Sequence, residues 1–170
     1  MSCSKVLGAV AALSLAGGLA GCFQPLYSES AHPGLVEDLR AIQVAPIKDR
    51  VGHYLADDLT TDLNGTGQSP PPKYRLTVTV TLGTQTPTVN SELNVATSAT
   101  VTGEANYTLN KVDGGAEVLK GNALAAAPYD RTQERYADLR AARDAEIRLA
   151  RALSSEISLR LASALAGKSS

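Results

Sequence analysis

The ten residues Lys73-Tyr74-Arg75-Leu76-Thr77-Val78-Thr79-Val80-Thr81-Leu82 decide how the rest of the chain reads. Successive side chains of a strand point to opposite faces, so Tyr74, Leu76, Val78, Val80 and Leu82 share one side, and Lys73, Arg75, Thr77, Thr79 and Thr81 the other. Such a strand has one dry face and one wet face. The sheet that contains it needs a cover on one side only.

Downstream, residues 83–93 form a polar loop around Pro87, and residues 95–109 give a second long strand with Val95, Val101, Tyr107 and Leu109 in phase. Asp113-Gly114-Gly115 is turn chemistry, after which residues 116–126 return as a shorter, alanine-rich strand. Strands this close in sequence are most simply an antiparallel meander. Upstream, residues 40–47 alternate as a first strand, with Pro46 suited to its end or to an edge. Asp49 then offers an N-cap, and Val51, Leu55, Leu59 and Leu63 recur every four residues before the stop signal Asn64-Gly65, which predicts a helix. Residues 66–72, ending in three prolines, are a loop.

From Thr132 the composition turns to Ala, Arg, Glu, Leu and Ile. Tyr136, Leu139, Ile147, Ala150, Leu153, Ile157, Leu161 and Leu165 keep a helical stripe there, and Asp144–Arg148 and Glu156–Arg160 are acid-before-base pairs four apart. A helix of that length needs a surface to lie on. The expected fold is α+β: a small four-stranded sheet with two helices packed on one face, in the order β-α-β-β-β-α.

The ends of the chain carry a different message. Residues 1–21 hold one cation, Lys5, then an apolar run from Val6 to Ala16 and a Gly17-Gly18 break, the layout of a secretory signal. The run falls short of the roughly 20 apolar residues that span a bilayer. Leu19-Ala20-Gly21-Cys22 resembles the lipobox of bacterial lipoproteins, in which the cysteine receives a diacylglycerol and becomes the new N-terminus after cleavage. Phe23, not Asp, follows it, which resembles the sorting signal for release to the outer membrane. Each buried acyl CH₂ contributes about 0.8 kcal/mol, so two or three chains on Cys22 would anchor the protein almost permanently. Residues 22–38, with Pro25 and Pro33 and no periodicity, read as a lipidated tether. Residues 39–166 are then a single domain, and 167–170 a short tail.

Without residues 1–21 the chain has 149 residues, enough for one core. Its one cysteine is Cys22, so packing alone must stabilise it. The balance of 15 basic to 17 acidic residues offers no broad cationic surface, and nucleic acid is not an expected partner. His53 and Asp57 lie one helical turn apart with no third ligand in view, and His32 lies in the tether, so no metal is expected. No serine sits in a nucleophile elbow, and no glycine-rich loop leads from a strand into a helix. Neither a cofactor nor an enzymatic activity is expected. The arginines of the last helix are interleaved with six acids between residues 130 and 160, the pattern of a self-paired, solvated face.

Taken in order, several pieces resemble one family. They are Cys22-Phe23-Gln24-Pro25-Leu26-Tyr27, Val44-Ala45-Pro46-Ile47, Arg50-Val51-Gly52, Tyr74-Arg75-Leu76, Tyr107-Thr108-Leu109, Gly121-Asn122-Ala123, Tyr136-Ala137 and Asp144-Ala145. Together with the lipobox they are similar to the lipopolysaccharide-assembly lipoprotein LptE, especially its alphaproteobacterial branch, over nearly the whole mature chain. The resemblance implies a protein lipid-anchored to the periplasm-facing leaflet of the outer membrane. It also implies a seat inside the β-barrel of an LptD-type partner, as a plug that takes part in passing lipopolysaccharide outward. The family's basic contact residues do not align here. On physical grounds alone, Lys73, Arg75, Lys111 and Lys120, on or beside strand ends, are candidate phosphate contacts. An auxiliary lipoprotein of an ABC-type export or lipid-trafficking system would share the anchor and the layout. A lipid-anchored cell-wall hydrolase lacks its constellation of His, Cys and Glu.

Overall fold

The computed structural model describes residues 34–65, 70–86, 89–90 and 95–167. Three helices, α1 (Leu35–Arg40), α2 (Arg50–Asn64) and α3 (Arg135–Ala166), accompany strands β1 (Ile42–Val44), β2 (Tyr74–Gln85), β3 (Val89–Asn90), β4 (Val95–Ala96), β5 (Ser98–Lys111) and β6 (Glu117–Asp130). The main sheet has the order β1-β2-β5-β6, with β1 parallel to β2 and the other neighbours antiparallel. This is the expected four-stranded α+β sheet with two helices on one face, to which the structure adds a short third helix and a two-stranded β3-β4 ribbon.

The period-two pattern fixes the inner face. Leu76 and Val78 of β2, Ala99, Val101, Ala105, Tyr107 and Leu109 of β5, and Ala123 and Ala127 of β6 are buried. Their alternates Thr77, Thr79, Glu104, Asn106, Lys120, Asn122, Leu124 and Ala126 are exposed. Helix α2 buries Val51, Leu55, Leu59 and Leu63, the stripe read from the sequence. Helix α3 buries Leu149, Leu153, Ile157, Leu161 and Leu165, one per turn, beside a second row of Ala150, Ser154, Ser158, Ala162 and Ala166. That small-residue row lets α2 approach closely. The two helices run in the same direction: Arg50 at the start of α2 clamps Glu146 with two bonds of 2.7 and 2.8 Å, and near its end Asp62 accepts a 2.7 Å bond from Ser154 Oγ. Asp58, between them, is pushed up from its ordinary carboxylate range, chiefly by burial and against the pull of Arg151.

Several expectations are corrected. Residues 35–38, read as tether, belong to α1, where Leu35 and Leu39 are buried, so the folded domain begins before residue 39. Asp49 holds the N-cap position at φ 69° but makes no side-chain cap bond. Strand β2 continues to Gln85 instead of ending in a loop at Gly83, and Val95–Ala96 pairs with Val89–Asn90 instead of joining β5. Strand β6 runs on through Pro128 to Asp130. Tyr136 and Leu139 are 73% and 60% exposed and do not continue the buried stripe, while Leu149, absent from the expected stripe, is fully buried. Among the described residues no helix is long and apolar enough to cross a membrane.

Candidate functional site

With one sheet face covered by α2 and α3, the sheet offers a partner its opposite face and its ends. The open face is built by register. Thr77 pairs with Thr108 and Thr108 with Lys120; Thr79 pairs with Asn106 and Asn106 with Asn122. Its hydroxyls and amides make a wet surface with few charges.

Toward the far end of the hairpin the relief drops. Gly83, Thr102 and Ala126 form one row and Thr81, Glu104 and Leu124 the next. Short side chains on the first row leave an open groove of about 580 Å³ across β2, β5 and β6. A Cβ at Gly83 would come within 2.9 Å of Thr102 Oγ1, so these two strands lie close under it. Leu124 stands at the groove's margin with 69% exposure. The sequence pattern did not single it out. Its position in phase with Lys120 and Asn122 is the signal that marks it as outward-facing.

The four expected cations are divided, not gathered. Lys73 and Lys111 line a cleft of about 460 Å³ at the other end of the sheet, together with Glu37, Pro70, Pro71, Pro72, Tyr74 and Asp113. Lys73 Nζ sits 2.8 Å from Asp38 Oδ1 and 3.8 Å from Glu37, and the bond it donates to Asp38 pushes its pKa up. Its charge is thus answered within the protein. Arg75 and Lys120 are on the open face, where, among the described residues, Arg75 reaches Gln43 Oε1 at 3.5 Å. Cys22, the expected lipid attachment, lies outside the described residues.

His53 Nε2 is 3.6 Å from Asp57, both largely exposed, and no cluster of three metal-ligating side chains occurs among the described residues. Glu104 is the one carboxylate lining the open groove.

No family model matches the chain, and no curated protein matches it significantly. Solved structures do. A crystal structure of a protein classed as a lipoprotein from Caulobacter crescentus CB15 superposes with a TM-score of 0.65 at 27% identity, covering 79% of this chain and 97% of that one. The minor lipoprotein of Acinetobacter baumannii superposes with a TM-score of 0.50 at 13% identity, covering 72% and 88%. The rare lipoprotein B of Shewanella oneidensis gives 0.50 at 8% identity, covering 75% and 94%. This chain therefore has a fold that also occurs in bacterial lipoproteins.

Proposed function

We propose that this chain is a non-catalytic envelope lipoprotein, anchored through Cys22 to the outer membrane, that occupies the lumen of an LptD-type β-barrel and takes part in delivering lipopolysaccharide to the outer leaflet. The observation that carries this reading is the threonine- and asparagine-rich open sheet face. A large outer-membrane barrel is wet and polar inside, and a domain that fills it needs a compact body with a polar exterior. Here the hydrophobic core is packed between sheet and helices, and Leu82 and Leu124 at the groove are the large apolar side chains left exposed on the sheet strands. The lipobox-like Leu19-Ala20-Gly21-Cys22 and the lipoprotein neighbours support the anchor, and the ordered motifs similar to LptE support the partner. Arg75 and Lys120, on the open face, and Lys111, in the end cleft, are the proposed phosphate contacts, since Lys73 is held by Asp38. The anchor would raise the plug's local concentration beside the barrel instead of supplying the contacts themselves.

Two experiments test this reading. Metabolic labelling with an alkyne fatty acid should mark the wild-type chain and leave Cys22→Ser unlabelled; a labelled Cys22→Ser chain would remove the anchor from the proposal. Photo-crosslinkers placed at Thr79, Asn106 and Asn122 should capture a barrel in native membranes, and depletion should leave the barrel misassembled and the surface poor in lipopolysaccharide. Normal surface lipopolysaccharide on depletion, with no barrel captured, would leave the auxiliary-lipoprotein alternative in its place.

A further inference from the structure

Strand β6 is an edge of the sheet, and its hydrogen-bonding direction can be read from its end. Arg131 N–H donates to Thr97 O at 3.0 Å, one step beyond the Ser98–Asp130 pair. Bonded and non-bonded pairs alternate in an antiparallel ladder, so the odd residues of β6 bond to β5 and the even ones turn their N–H and C=O outward. Pro128, which has no N–H, stands at an outward position and leaves the ladder intact. Two outward carbonyls are already taken by α3: Arg148 donates to Pro128 O at 2.8 Å, and Arg160 donates to Asn122 O. Between them Leu124 and Ala126 keep their outward N–H and C=O groups unbonded among the described residues. Ala152, one turn beyond Arg148 on α3, is small and exposed.

We infer that this window of β6 pairs with the same window of a second copy of the chain, antiparallel about Ala125. In that register Leu124 faces Ala126 of the other copy, and the two symmetric pairs form four backbone bonds. The flanking pair sets Pro128 opposite Asn122. The bond that Pro128 cannot donate is one that Asn122 O, already held by Arg160, does not need. One step further out, Lys120 stands directly opposite Asp130 on the open face, twice by symmetry. Both are exposed, and within the domain neither has an ion-pair partner among the described residues. Opposite charges directly across a strand pair stabilise it, and like charges destabilise it. The self-complementarity of charge, of missing donor and of occupied acceptor in one register is what favours a second copy over a foreign strand. An isologous contact of this kind closes on itself as a dimer. The inference does not rest on the barrel reading.

The test uses the full chain purified in detergent. The expected result is a dimer by detergent-corrected light scattering. Ala125→Cys should form an intermolecular disulfide under mild oxidation, because the dyad places its Cα about 4.5 Å from its counterpart. Thr79→Cys and the unsubstituted chain should remain at background. Lys120→Asp puts two acid–acid pairs across the interface and should weaken dimerisation about tenfold; adding Asp130→Lys should restore it. Ala126→Pro removes an outward N–H that has no partner among the described residues, and should give a folded monomer whose melting temperature no longer rises with protein concentration. A chain monomeric at every concentration would overturn the inference. So would a dimer untouched by the charge swap, or a crosslinker at Leu124 that captures only a different protein.

Discussion

Val78→Asp should abolish cooperative unfolding or lower the melting temperature by tens of degrees, whereas Thr79→Asp, one residue along, should shift it by only a few. Val78 is 6% exposed beneath the helices, and Thr79 stands on the wet face. A carboxylate forced into an apolar core either loses its hydration without compensation or remains protonated at a cost of several kcal/mol. Stability of a domain this size is about 5–15 kcal/mol, so one such change consumes a large share of it. Leu153→Ala is the graded companion. Leu153 is fully buried in α3 and sits against β5, where a Cβ added at Gly103 would come within 3.3 Å of its Cδ1. Deleting the side chain should cost about 2–5 kcal/mol, or about 5–15 °C. Thermal unfolding followed by circular dichroism decides it. Equal shifts from the two aspartates would mean that the sheet faces are assigned the wrong way round.

The second large effect is expected at Gly121. Glycine inside a strand is ordinarily a weakness, and alanine in its place ordinarily gains roughly 0.5–1 kcal/mol. Here the sign should reverse. Gly121 pairs with Tyr107, and a Cβ at Gly121 would lie 2.6 Å from Tyr107 Oη and 2.8 Å from Cζ. The tyrosine ring, 2% exposed, therefore lies over the glycine and fills the space a side chain would occupy. Its hydroxyl also meets Arg160, whose guanidinium is held further above its usual range by Glu156. Ring and backbone have little room to part, so Gly121→Ala should cost about 1–3 kcal/mol by overpacking. Combining it with Tyr107→Phe removes the closest contact but leaves the Cζ contact, so recovery should be partial, and a double-mutant cycle should show coupling between the two sites. Wild-type stability in Gly121→Ala would mean that the ring does not cover this position.

What the sequence by itself determined is what depends on neighbours along the chain. The alternation from Tyr74 to Leu82 and the four-residue recurrence of Val51, Leu55, Leu59 and Leu63 are local periods, and each element keeps its faces wherever it is placed. The polar open face was legible for the same reason, since the residues that must be wet alternate with those that must be dry.

The tertiary structure decided what depends on neighbours in space. Tyr136 and Leu139 have the spacing of a core stripe but lie beyond the cover of the sheet, so helical period alone could not tell which turns of α3 would be buried. Pro128 looks like the end of a strand in sequence, and becomes part of one because β6 is an edge and the missing N–H points outward. Leu35 and Leu39, beside a proline-containing stretch, form a buried helical turn only because α2 and α3 supply a surface for them. The four cations looked alike in one dimension. Strand order separated them, placing Lys73 beside Asp38 and leaving Arg75 and Lys120 on the open face. Register across strands is set by pairing between residues far apart in sequence, and neither the cover over Gly121 nor the unbonded window at Leu124 and Ala126 exists until that pairing is made.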